Sequence, residues 1–323
     1  MNNQNEIREQ ITQQIVAALE AGTIPWRRPW RVNPNGAGRP RNIVSKKPYS
    51  GVNPILLAMH GMTHGCDSRW YGTFQQWKAL GGSVKARPSY VKPGLWGCRI
   101  VFYKMATRSV TNQTTGEKEE LTFPLLRTYT VFSADQVEGV DEFKVLEQAD
   151  AGAASASPDF EAAQRLVQAT EADIRHKGEQ AAYCVPTPKG SWPLHLDGDF
   201  IQIPQQSKFE TVGAYYESLF HELAHWGETR REIRSEKAGY AMSELVAELS
   251  SCFLSAELGV PTGEGLGNHA AYLESWLQAM KEDHRFIFRA STEASKMTDF
   301  LLSFVSAEKA GAGLESMKVT DWV

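Results

Sequence analysis

Apolar and polar positions change rhythm roughly halfway along the 323-residue chain. Ile7, Ile11, Ile15, Val16 and Leu19 recur every three or four residues, so 5–21 is expected to be an amphipathic helix ended by Gly22. IPWRRPWRVNPNGAGRPRN, just beyond, is too rich in Pro and Gly for regular structure. Short apolar helices are expected at 52–62 (VNPILLAMHGM) and 73–80 (TFQQWKAL). Alternation in 97–105 and 123–132 predicts two antiparallel strands, joined by the polar loop TRSVTNQTTGEKEE. The stretch 146–160, LEQADAGAASASPDF, can support no core and reads as a linker.

Past the linker the pattern turns helical. A helix is expected over 160–176, then a loop with Pro186, Pro188 and Gly190, and an exposed strand at 199–209. Two apolar helices, YYESLFHELAHWG and YAMSELVAELSSCFLSAEL, precede two more at 268–281 and 286–306. The pattern predicts an α+β protein of two domains, a mixed α/β domain over 1–145 and a mainly helical one over 161–323, each with its own core.

The first of the apolar helices carries His221-Glu222-Leu223-Ala224-His225. Histidines four apart on a helix point the same way, one turn above the other, so both rings can grip one zinc ion. Glu222, one position round, can reach a water on the open side of the ion and act as general base. No His-x-x-Gly-x-x-His continuation follows, which disfavours a third histidine ligand. The second helix carries Glu244 and Glu248 on one face amid Leu245, Val246, Leu249 and Phe253, where an unpartnered carboxylate would be costly. Eighteen residues separate His225 from Glu244, a spacing that resembles gluzincin peptidases. That resemblance makes Glu244 the third ligand, while Glu248 would accept from a ligand imidazole and fix its tautomer. Spacing alone leaves the two glutamates exchangeable. Zn2+ is the expected ion, with another divalent metal as the alternative. Tyr240 is assigned to packing, with oxyanion stabilisation as its other reading. Ile201 to Pro204 is the candidate edge strand for a substrate backbone.

Composition sets outer bounds. Hydrophobic residues make up 42% of the chain and no apolar run is long enough to span a bilayer, so a globular protein without a membrane partner is expected. Cys66, Cys98, Cys184 and Cys252 lack CxxC pairing and fit a reducing, bacterial cytoplasm. The net charge of −4 hides a polarity: residues 1–145 hold 19 Lys and Arg against 11 Asp and Glu, the remainder 15 against 27. Within 21–108 there are 15 basic residues and one acid, Asp67. Five of the nine tryptophans fall in the same stretch. Cations that follow phosphates and aromatic rings that stack bases are how single-stranded nucleic acid is held. The candidates for that contact are Trp26, Arg27, Arg28, Trp30, Arg31, Arg39, Arg41, Lys46, Lys47 and Tyr49. Trp77, on an apolar helix face, is assigned to the core.

LEAGTIPWRRPW, KPYSGVNPILL, WYGTFQQWKALGGSVK and YTVFSADQVEG resemble the N-terminal domain of the ArdC-type antirestriction family, which shares it with plasmid primases of the TraC type. HELAHW, YAMSELVAEL and the helical stretch from NHAAYLESW follow in that family's order. AAYCVPTPKGSWPLHLDGDFIQIP departs from it, being longer than the family's compact segment, and bears on the substrate cleft. The resemblance implies a single-strand-binding N-terminal domain and a zincin-like metallopeptidase domain. It also implies a role, carried by a plasmid or mobile element, in protecting entering single-stranded DNA from restriction. Protein substrates would be restriction subunits or DNA-bound proteins. The alternative is a non-catalytic coat on single-stranded DNA with a structural metal. A primase reading lacks an acidic catalytic cluster or a Gly-rich nucleotide loop.

Overall fold

The structure is a computed structural model and describes residues 2–27, 37–111, 118–145, 160–185, 198–231, 239–261 and 270–318. Helix α1 (Asn2–Glu20) ends at Gly22, whose φ of 78° is open to glycine at no steric cost. The N-terminal sheet has four strands in the order β1-β2-β5-β4: β1 (Arg41–Asn42), β2 (Trp70–Thr73), β4 (Cys98–Thr111) and β5 (Lys118–Ser133). β1 and β2 run parallel and the other pairs antiparallel. A two-stranded ladder of β3 (Ser83–Val84) and β6 (Val137–Glu138) sits apart from it. Helix α2 (Asn53–His64) packs on β4, and α3 (Phe74–Ala79) is started by a Thr73/Gln76 capping box. Trp77 is fully buried and donates from Nε1 to the Phe132 carbonyl, 2.9 Å away.

β4 and β5 run further than alternation predicted. Their ladder continues from Cys98↔Val131 out to Thr111↔Lys118, so only 112–117 of the polar loop fall outside the described residues. Backbone pairing needs no apolar side chains, and Thr, Val and Ser suit an extended chain that is exposed on both faces.

The C-terminal half begins with α4 (Glu161–Ala169), shorter than expected because the chain turns at Glu171 with φ 52°. A three-stranded sheet follows in the order β7-β9-β8: β7 (Ile174–His176), β9 (Phe200–Ile203) and β8 (Ala182–Cys184). The strand expected to be exposed is therefore central and mostly buried. α5 (Val212–Arg230) packs against it, and α6 (Tyr240–Leu258), α7 (Ala270–Glu282) and α8 (Phe286–Lys318) complete the helical part. Gly227 lets α8 approach α5 closely, since a Cβ there would lie 2.5 Å from Met297 Sδ.

Two separate cores were expected, and the largest core cluster instead crosses between the halves. Ile11, Ile15, Leu19, Trp26 and Leu57 join Leu245, Leu249, Trp276 and Phe286 in it. α1, read as a domain's own amphipathic helix, turns its apolar stripe to α7. A second cluster joins α4, α5, β9 and α8. The fold is α+β, with a mixed α/β N-terminal domain and a mainly helical C-terminal one. Of the expected linker, 146–159 lies outside the described residues. No helix among the described residues is long and apolar enough to cross a membrane.

Candidate metal centre and nucleic-acid interface

α5 starts cleanly because the Thr211 hydroxyl accepts from the Ala214 amide at 3.0 Å, and α6 starts after Gly239 and ends at Gly259, in the left-handed region with φ 68°. Buried Leu219, Leu223 and Ala224 on α5 and Ala247 and Leu254 on α6 share one core cluster that holds the helices together. Their polar faces then meet at one end of the interface.

There the donors His221, His225 and Glu244 form a triangle. His221 Nε2 lies 3.2 Å from His225 Nε2 and 3.4 Å from Glu244 Oε2, and His225 Nε2 lies 3.6 Å from Glu244 Oε1. Zinc and similar ions hold N and O donors at about 2.0–2.2 Å, which in a tetrahedron puts those donors about 3.3–3.6 Å apart. Both rings thus stand near that spacing from one oxygen or the other of the Glu244 carboxylate, and one ligand atom from each of the three residues lies within 4.8 Å of the others, a donor set that suits a divalent cation. Burial alone would raise the Glu244 pKa, but the His221 hydrogen bond and the charges of both histidines hold it below the ordinary carboxylate value. Its anion is thus favoured, as a ligand requires.

The open side of the triangle is a cavity of about 750 Å³, lined by Glu222 and Tyr240 among others. Glu222 is buried, and its Oε2 accepts from the Tyr183 amide of β8 at 2.7 Å. Tyr183 is anchored in turn, donating from its hydroxyl to Asp199 Oδ2 at 2.6 Å, a carboxylate that Arg230 also holds at 2.7 Å. β8, an edge strand, therefore borders the cavity, whereas β9, the expected edge, is paired on both sides. Residues 186–197, which hold most of the departure from the family's segment, lie outside the described residues. Tyr240, expected to pack, is 68% exposed at the cavity rim and meets Tyr272 edge-on, with ring centroids 5.7 Å and hydroxyls 2.8 Å apart.

The outer support of the triangle differs from the expectation. Ser243 Oγ lies 3.3 Å from His225 Nδ1 and donates to Glu228 Oε2 at 2.8 Å, and Glu228 Oε2 is itself 3.6 Å from that ring nitrogen. Burial alone would lower the His225 pKa, but the Glu228 hydrogen bond, with the charges of Glu228, Glu244 and Glu222, raises it on balance. Ser243, held by Glu228, thus stands at the outer nitrogen, the place expected for Glu248. A readable signal existed in His225-x-x-Glu228, which puts both on one helix face. Glu248 sits a full turn deeper and is fully buried, with Oε1 accepting from Arg27 Nε at 2.9 Å, Trp26 Nε1 at 3.4 Å and Cys252 Sγ at 3.8 Å.

Several nucleic-acid candidates prove to be internal. Trp26 is 2% exposed, edge-on to Trp276 with ring centroids 6.2 Å apart. Arg27 pairs with Glu217 at 2.8 Å as well as Glu248. Arg39 is buried and holds Glu257 at 2.8 Å and Asp299 at 2.6 Å. Arg41 joins Glu257 at 3.2 Å. Tyr49 is half-buried, donating to the Tyr71 carbonyl, and burial pushes its hydroxyl up to about 12. Lys46 and Lys47 are exposed, the Lys46 ammonium 4.8 Å from the centroids of both Trp70 and Phe143. Arg28, Trp30 and Arg31 lie outside the described residues. Much of the charge polarity is therefore spent between the two halves, basic against acidic.

An exposed cationic and aromatic surface does exist, on the β4–β5 hairpin. The pairs Ile100↔Tyr129, Phe102↔Arg127, Lys104↔Leu125, Ala106↔Phe123 and Arg108↔Leu121 share one face. On it Phe102, Tyr129 and Phe123 are exposed by 53%, 43% and 39%, with exposed Arg127, Lys104 and Arg108 between them. Acidic residues enter the two strands only near the tip, as Glu119 and Glu120.

Comparison with known proteins agrees with this division. Residues 5–132 match the family described as the N-terminal domain of anti-restriction factor ArdC, and residues 161–293 match a zincin-like metallopeptidase family. An uncharacterized protein of Sinorhizobium fredii, y4eC, is 32% identical over 307 residues, covering 92% of this chain and 91% of that protein. DNA primase TraC of Escherichia coli is 31% identical over 315 residues, covering 92% of this chain and 27% of that protein. Two crystal structures of the antirestriction ArdC protein from the R388 plasmid superpose on the chain. The metal-free one has a TM-score of 0.67 at 31% identity, over 93% of this chain and 98% of that one. The Mn(II)-bound one has a TM-score of 0.64 at 32% identity, over 92% and 97%. With identity near a third sustained through almost the full length of such relatives, the chain belongs to the ArdC antirestriction family.

Proposed function

We propose that the chain is a divalent-metal peptidase, with zinc as its ion, joined to a single-stranded DNA-binding domain, and that it protects entering DNA by cleaving proteins bound to it. The observation that carries the reading is the gathering of His221, His225 and Glu244, with one ligand atom of each within 4.8 Å of the others, beside Glu222 in a cavity bordered by an edge strand of the described sheet. When bound, a divalent cation supplies Lewis acidity and a lowered pKa for water. Glu222 would take the water's proton on Oε1, Oε2 being engaged by the Tyr183 amide, and return it to the leaving amine. A substrate backbone would lie along β8 on the side that faces the cavity, where the Tyr183 amide is held by Glu222. The hairpin face supports the DNA half: three rings for stacking and three cations for phosphates, whereas Arg27 and Arg39, ahead of β1, are committed to internal ion pairs. Restriction subunits and other DNA-bound proteins are the proposed substrates.

The test uses Glu222→Gln in the full chain. Proteolysis of an unfolded protein and protection of transferred DNA should both be lost, while metal content and affinity for single strands stay at the wild-type level. Protection that survives undiminished would assign the metal to structure and the function to coating DNA. Preference for duplex over single strands in a competition assay would remove the stacking account of the hairpin.

A further inference from the structure

Beneath the donor triangle lies a second charged layer that the proposed chemistry does not use. Glu217 precedes His221 by four residues on α5, and Glu248 follows Glu244 by four residues on α6. Each carboxylate is therefore one helical turn from a donor, on the same face. Both are bound by a guanidinium that comes from the other domain. Arg27 Nη2 lies 2.8 Å from Glu217 Oε1 and its Nε 2.9 Å from Glu248 Oε1, with side-chain exposures of 4% for Arg27, 10% for Glu217 and 0% for Glu248. Trp26, the neighbouring residue, donates to the same Glu248 oxygen and is wedged against Trp276 of α7.

We propose that Arg27 is a positioning residue for the metal centre: it sets the separation of α5 and α6 one turn below the donors, so that the metal affinity of the C-terminal domain depends on the N-terminal domain. The planar fork of arginine suits the task, because it can present separate N–H groups to two carboxylates at fixed angles. Without it, the carboxylates of α5 and α6 would lose the one guanidinium that both contact, and with it a direct tie between the two helices. Metal sites tolerate little shift of their donors, since bond lengths vary by only about 0.2 Å. The donor triangle draws His221 and His225 from α5 and Glu244 from α6, so a change in helix separation acts on it directly. Lysine, a point charge on a flexible stem, would satisfy the charge but not the geometry.

The proposal rests on His221, His225 and Glu244 being the metal ligands, and the experiment separates the two. Mn2+ is titrated into the full chain and free ion is followed by electron paramagnetic resonance, for the wild type, Arg27→Met, Arg27→Lys and Trp77→Leu. Arg27→Met should bind about 10–100-fold more weakly, the range seen when outer supports of metal sites are lost, with Arg27→Lys between it and the wild type. Trp77 belongs to a separate small core cluster, so Trp77→Leu should lower the melting temperature and leave Mn2+ affinity unchanged. Wild-type affinity in Arg27→Met, or an equal loss in Trp77→Leu, would overturn the positioning role. A wild-type chain that takes up no Mn2+ would reject the ligand assignment itself. Should Arg27→Met fail to fold, Glu217→Gln keeps the shape and removes one charge, and undiminished affinity there overturns the proposal equally.

Discussion

The metal centre and the basic stretch around residues 21–108 were both marked by their residue types, yet the candidates of the first stand together while the described residues of the second divide between the interior and the surface. His221, His225 and Glu244 meet at 3.2–3.6 Å because a helix fixes where residues four apart must point, and one packed neighbour supplies the third donor. Arg27, Arg39 and Trp26 belonged to an equally conspicuous pattern, and they are buried against acids and a ring of the other half. A cluster of cations states only that anions are near. Whether those anions are phosphates or the protein's own glutamates is decided by tertiary structure.

The sharpest way to break this contrast is at Glu222. Glu222→Gln should lower peptide hydrolysis by about 10²–10⁴-fold, the usual worth of a general acid–base group, without releasing metal. Hydrolysis at the wild-type rate would place the chemistry elsewhere. Arg39→Met addresses the other side of the comparison. Breaking a buried pair should destabilise the fold by about 3 kcal/mol or more in denaturant unfolding, while affinity for single-stranded DNA is retained. A large loss of affinity with stability intact would return Arg39 to the nucleic-acid surface. Glu228→Gln should weaken metal binding by about 10–100-fold, and the same change of amide for carboxylate at Glu257 should leave it alone. Equal effects from the two would mean that the ladder from His225 to Glu228 is incidental. On the hairpin, Phe102→Ala and Tyr129→Ala should each cost about 1–3 kcal/mol in single-strand affinity. Arg127→Met should produce the smallest change, a reduction of about one in the slope of log affinity against log salt. An unaltered slope would show that no phosphate lies beside it.

What could be read in advance follows the range over which each signal acts. α5, α6 and the four-residue spacing are local, and the placement of His221, His225 and Glu244 together was legible from YYESLFHELAHWG and YAMSELVAEL. Glu228 is equally local, since its place three residues after His225 puts both on one face of α5. Glu248 was assigned by its proximity in sequence to Glu244, but one further turn carried it from the imidazoles' surroundings to Arg27. β1, β7 and β8 are two or three residues long, too short for any alternation to register, and their pairing is set by partners far along the chain. The hairpin face was hidden for a related reason. Phe102, Tyr129 and Arg127 look like ordinary strand residues until the register puts them on one exposed side.

The claim on which the account stands is that three donors and a flanking carboxylate are built around one divalent cation. It is tested most directly by the metal content of the full chain purified without chelators, measured by native mass spectrometry beside His225→Ala. The account predicts one divalent ion per chain in the wild type and none in the variant. A wild-type chain free of metal, or a variant that holds it equally well, would contradict it.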